Sequence, residues 1–146
     1  MSSFVELPEE FTERHEQVKM FNTTAGTESD FIVIECPAFT SYVFEQGKTQ
    51  VYVKPRDSAG NDITKGIVRI YKATADKSQK WKIAEVPLSK VIYLTGFENQ
   101  IYRLQKSIAL KEKQIILITL EADTAADANN SEFYMNGIMV MEQLEI

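Results

Sequence analysis

The sequence holds one cysteine, one histidine and one tryptophan in 146 residues. A lone Cys36 excludes an internal disulfide framework and any cysteine-based zinc cluster. It follows the apolar run Phe31-Ile32-Val33-Ile34 and precedes Pro37. Free cysteine is among the most buried residue types, so Cys36 reads as a structural thiol. The lone His15 sits between Arg14 and Glu16 in a polar stretch. Ser-His-acid and Cys-His catalysis need an imidazole held by packing, and this setting does not supply one. The six glycines are scattered singly, without the clustered turn that cradles phosphate. No apolar run approaches the ~20 residues of a membrane-spanning helix. The start, Met1-Ser2-Ser3-Phe4-Val5-Glu6, has neither the charged nor the apolar region of a secretory signal, so a cytoplasmic site of synthesis is expected. Positive charge is also scarce: 16 Lys and Arg face 21 Asp and Glu, a formal net charge of −5. Phosphate backbones demand a basic footprint, and no nucleic-acid partner is expected.

What is present is a β pattern on a chain long enough to build a core without covalent staples. Residues 1–30 are polar and form an expected N-terminal arm or linker, with Pro8-Glu9-Glu10 able to open a short helix. Phe11, Val18 and Phe21 give this stretch a thin apolar stripe. From Phe31 onward strands dominate. Residues 41–45 and 49–54 flank Gln46-Gly47-Lys48, which predicts a hairpin. Residues 66–73 and 80–86 read as two further strands, with Trp81, Ile83 and Glu85 alternating against Lys82, Ala84 and Val86. Residues 88–110 fit helical and strand spacing about equally, and strands with a helical turn near residues 98–104 are favoured. Residues 114–121 and 132–146 are strands separated by an acidic, Asn-rich loop. Short strands with turn signals about every ten residues, and no βαβ rhythm, predict an all-β antiparallel sandwich spanning residues 31–146.

Few constellations of chemistry stand out. Glu85 and Glu121, with Asp62 and Asp123, are the carboxylates that could form a glycosidase pair, but 21 acids make such pairs common by chance. Residues 57–62 and 123–131 offer hard oxygen ligands for calcium without the spacing of an EF-hand loop. Turn chemistry accounts for those Asp, Asn and Gly residues. Trp81, Tyr71, Tyr93 and Tyr102 could form an aromatic face for a glycan. No catalytic residue, metal or cofactor is therefore assigned, and the chain is read as non-enzymatic.

One feature does not fit a lone sandwich. A strand of such a fold buries one face and wets the other. Ile115–Leu120 and residues 138–141 are apolar on both. Their second faces need a cover: the N-terminal stretch, residues 88–110, or another subunit. Large exposed apolar patches mark interfaces, and methionine suits an adaptable contact. Phe11, Val18, Phe21, Ile116, Ile118, Met135, Met139 and Met141 are accordingly the candidate subunit-interface residues.

A polar arm followed by about eight short strands resembles the single jelly-roll coat and accessory capsid proteins of icosahedral viruses and phages. The nearest echoes are the hairpin from Tyr52 through Asp57-Ser58-Ala59-Gly60-Asn61-Asp62 to Gly66-Ile67-Val68-Arg69-Ile70-Tyr71, and the later strand–loop–strand from Ile116 and Leu120 to Asn130-Ser131-Glu132-Phe133. The resemblance implies a jelly-roll fold, a virion location after synthesis in a host cytoplasm, and self-association or contact with other coat subunits. The acidic balance departs from a genome-facing coat and suits an outer, decorating position. The alternative is a β-sandwich binding module for a glycan or a protein partner.

Overall fold

The computed structural model describes residues 2–12, 16–92 and 102–144. His15, Tyr93 and most of the predicted helical turn at 98–104 lie outside the described residues. Among the described residues, eleven strands form two antiparallel sheets, so the expected all-β sandwich is the observed architecture. The first sheet contains β1 (Ser2–Thr12), β11 (Glu132–Leu144), β4 (Thr40–Phe44), β5 (Gln50–Lys54), β8 (Tyr102–Arg103) and β9 (Ile108–Leu110). The second has the order β2 (Val18–Met20), β3 (Glu28–Glu35), β10 (Gln114–Glu121), β6 (Ile67–Thr74) and β7 (Lys80–Pro87). Leu88–Lys90 form one 3-10 turn, which leads Val91 and Ile92 to the edge of β5.

The period-2 pattern places the core. Phe133 and Met135 of β11, Val51 and Val53 of β5, and Tyr42 and Phe44 of β4 turn inward and are fully buried. They meet Ile32 and Ile34 of β3, Val68 and Ile70 of β6, and Ile116, Ile118 and Leu120 of β10 in one cluster between the sheets. β-branched residues dominate the buried positions of the second sheet, because a branched side chain packs well on a pleated surface.

Four sequence expectations change. Residues 2–12 are neither helix nor free arm: β1 pairs antiparallel with β11 over its whole length, Ser2 opposite Leu144 to Thr12 opposite Tyr134. Pro8 is tolerated because β1 lies at the border of its sheet, where a missing N–H breaks no second ladder. Phe11 fastens the strand, its ring 4.9 Å from Tyr42 and 5.6 Å from Phe44.

Secondly, β4 and β5 do not form a hairpin. Both run antiparallel to β11, one after the other: Thr40 to Val43 oppose Met141 to Ile138, and Val51 to Lys54 oppose Met135 to Glu132. The intervening turn is closed on itself by Lys48 and Thr49 N–H groups donating to the Glu45 carbonyl and by Glu45 N–H donating to Thr49 Oγ1. The chain therefore leaves the strand line and rejoins it. Phe44 ends the first half against Gly137 of β11, whose bare Cα is what lets the ring lie there.

Thirdly, the segment from Tyr52 to Tyr71 is not a hairpin: like the later strand–loop–strand, it crosses from one sheet to the other. β5 and β6 belong to different sheets, as do β10 and β11. Fourthly, the alternation expected in β7 is broken. Ala84 opposes Ile70 and Lys82 opposes Tyr71, which leaves Ile83 as an extra, bulged residue.

Candidate interaction surfaces

Of the eight candidate interface residues, Phe11, Val18, Ile116, Ile118 and Met135 are buried inside this chain's own sandwich. Met139 is half-buried against the same core. Phe21 and Met141 are exposed. The residues thus do not make one surface; the two that reach solvent are Met141 on β11 of the first sheet and Phe21 just past β2 of the second.

The second face of β10 finds its cover without another subunit. Ile115 and Leu117 point away from the main core and form a small buried cluster with Val33 and Ala73, against which Tyr71 packs. Around it stands a charged fence. The Tyr71 hydroxyl donates to Glu28 at 2.8 Å, and Lys80 Nζ lies 4.9 Å above the Tyr71 ring. Thr119 Oγ1 donates to the same Glu28 carboxylate at 2.7 Å. Arg69 Nη1 reaches Glu28 at 3.4 Å and Glu121 at 3.0 Å, while its Nε pairs with Glu85. Lys77 bridges to Asp30 and sits 5.7 Å from the Phe21 ring. Long polar side chains lay their aliphatic stems over the central residues and keep their heads in water. That is how a five-stranded sheet covers a narrow apolar stripe by itself.

The same network accounts for the carboxylates considered for catalysis. Glu85 and Glu121 both hold Arg69. Hydrogen bonding to Arg69, with the charge of Lys82, holds the Glu85 carboxyl below the usual range, against a small opposing effect of burial. Glu28 is also lowered: burial pushes it up, but bonds from Thr119 and Tyr71 and the charge of Arg69 outweigh that. A glycosidase acid needs a raised carboxyl. At Glu85 charge pairing runs the other way.

The loops are likewise explained by their own bonds. Asp57 Oδ1 accepts from the N–H groups of Ala59 and Asn61, Asp62 pairs with Arg56 at 3.3 Å, and Asp127 Oδ1 accepts from Asn129 N–H. No group of three or more acidic, histidine or cysteine ligands converges among the described residues. Cys36 is buried, its thiol 3.2 Å from the Thr40 carbonyl. Burial pushes it up to about 11, with Glu112 adding to the shift and a backbone bond at Tyr42 opposing it.

Three outward features stand out. On the first sheet, Tyr52 stacks on Tyr134 with ring centres 5.0 Å apart, beside half-buried Val43, Ile138 and Val140. Phe39 projects from the β3–β4 loop, 67% exposed and with φ of 59°. Trp81 is 48% exposed on β7. Sequence reasoning named Trp81 but missed Phe39 and the Tyr52–Tyr134 stack. The outward parity of Tyr52 and Tyr134 was legible; that two strands distant in sequence would oppose them was not.

These features sit on an antiparallel β-sandwich of jelly-roll type. The whole chain is similar to VP17, a capsid protein of bacteriophage P23-77, with a TM-score of 0.63 over 99% of this chain and 97% of that one, at 5% sequence identity. It is also similar to a chain of the VP16–VP17 complex, a complex of the two major capsid proteins of the same phage, with a TM-score of 0.60 over 97% of this chain and 99% of that one, at 7% identity. No family model matches the sequence. No curated protein matches it either. At these identities the likeness establishes the fold.

Proposed function

We propose that this chain is a structural, non-enzymatic subunit of a virion that works by assembling with copies of itself or with other coat subunits. The observation that carries the reading is the end-to-end likeness to phage capsid proteins, which spans at least 97% of each chain in both comparisons. A sandwich used as a scaffold for a grafted site would differ by insertions; here the lengths match and little is added. The surface agrees in kind: Glu85, Glu121, Asp57, Asp62 and Asp127 are tied up in ion pairs and turns, while Phe21, Phe39, Trp81 and Met141 are exposed apolar groups. The acidic balance favours an outer or decorating place in the shell over one that lines a genome.

Light scattering coupled to size exclusion, with negative-stain microscopy of the concentrated fractions, tests this. Assembly predicts a mass that grows with concentration and closed or lattice-like particles at the upper end. A strictly monomeric protein at high micromolar concentration, with no particles in crowding salt, overturns it.

A further inference from the structure

Among the described residues, the second sheet ends on one side in β2, three residues long, and on the other in β7, eight residues long with no strand beside its outer edge. A long open edge presents a row of N–H and C=O groups to any incoming strand. β7 carries lysines, a bulge and a terminal proline, devices that ordinarily keep an edge from pairing at random. Their arrangement, however, is self-complementary in one register.

We propose that β7 pairs antiparallel with β7 of a second copy of this chain, Lys82 opposite the second copy's Glu85. The inference deepens the assembly reading, since it names one contact through which copies would join. In that register Glu85 faces the other Lys82, Trp81 faces Val86 twice, and Ile83 faces Ala84. A regular strand could not do this, because residues an odd number apart lie on opposite faces. The bulge at Ile83 removes the mismatch. Lys82 and Glu85 both lie on the outer face, opposite Tyr71 and Arg69, whereas Trp81, Ala84 and Val86 lie on the other, opposite Lys72, Ile70 and Val68. Opposed residues therefore share a face throughout. Other registers either oppose like charges, as Lys82 against Lys82, Lys80 against Lys82 or Glu85 against Glu85, or oppose residues of different faces: setting Lys80 against Glu85 pairs outward Lys82 with Ile83, which packs on the core. Charge and face together select one register out of several. Half-exposed Trp81 gains an apolar neighbour in it, and Lys82, which is 3.6 Å from Glu85 of its own chain, gains a second carboxylate. An eight-residue edge is a small contact, of the size that holds a lattice through repetition and not through single strength.

The test uses the full chain with two charge variants, Lys82→Glu and Glu85→Lys, each checked for folding by circular dichroism. Either variant alone turns both cross-strand pairs repulsive and should weaken self-association about tenfold in sedimentation velocity. An equimolar mixture of the two restores the pairs and should recover the wild-type constant. Register is read separately: Trp81→Cys mixed with Val86→Cys should give a disulfide-linked heterodimer under mild oxidation, and Trp81→Cys alone should not. Variants that associate like the wild type, a mixture without recovery, or no heterodisulfide above the single-variant level each overturn the β7 contact. If the charge variants still form the wild-type particles, the pairing falls while the assembly reading stands.

Discussion

Gly137→Ala should destabilise this protein, against the general expectation for a strand. Glycine inside a strand is unfavourable by roughly 0.5–1 kcal/mol relative to alanine, because it loses more backbone freedom on folding. At an open position the substitution would therefore stabilise. At Gly137 a Cβ would stand 2.6 and 2.7 Å from Cε1 and Cδ1 of Phe44 and 3.2 Å from the Val43 carbonyl oxygen. The ring cannot retreat freely: Phe44 is fully buried, 5.6 Å from Phe11 and 6.3 Å from Tyr42. Overpacking of this kind costs about 1–3 kcal/mol. Set against the backbone gain, a net loss of about 1–2 kcal/mol is expected, or roughly 2–8 °C in melting temperature for a domain of this size. Urea unfolding of Gly137→Ala, Phe44→Leu and the double variant measures it. The smaller leucine leaves room for the new methyl group, so the double variant should be clearly less destabilised than the sum of the singles. A Gly137→Ala protein as stable as the wild type, or additive single effects, would refute the close approach of Phe44 to β11.

Phe11→Ala should cost about 3–5 kcal/mol and raise hydrogen exchange along Ser2–Thr12 more than elsewhere, since Phe11 is what fastens β1 to Tyr42 and Phe44; uniform exchange would count against that role. Glu28 and Glu85 have folded-state values lowered from 4.5, so their stabilising contribution is complete above that value and is lost as pH falls through the lowered ones. Arg69→Leu should therefore flatten the loss of stability between about pH 5 and 3, measured by urea midpoints; parallel curves would refute the Arg69 network. Cys36, with a thiol pushed up to about 11, should react with a disulfide reagent at neutral pH only at the unfolding-limited rate, and fast stoichiometric labelling of the folded protein would contradict its burial.

Strand identity was largely legible because side-chain parity is a local signal. Val51 and Val53, Phe133 and Met135, and the run Gln114–Glu121 all turn as their alternation dictates. Strand partnership was not legible, because it is decided by chain elements far apart. A turn containing Gly47 predicts a hairpin when only its own flanks are considered. It becomes a detour in one strand line once β11, thirteen residues long, offers a continuous edge to both halves. Pro8 likewise speaks for a helix start locally, and only the pairing of Ser2–Thr12 with β11 turns it into an edge-strand proline. The bulge at Ile83 has no sequence signal at all, since Ile83 suits a regular strand as well as a bulged one.

The surface was legible in composition and not in placement. Apolar residues on both faces of β10 imply a cover, and composition alone points to another subunit as readily as to the chain itself. The answer lies in the neighbours. β10 is the middle strand of five, so Ile115 and Leu117 are flanked by residues from β3 and β6, and Arg69, Tyr71 and Glu28 close over the rim. A central strand can therefore be apolar on both sides in a two-layer fold if the strands beside it carry long amphipathic side chains. An edge strand has neighbours on one side only and cannot be covered this way. On that argument the exposed apolar residue that a neighbouring strand could cover is Trp81 on the β7 edge, whereas the doubly apolar β10 is already covered by its own chain.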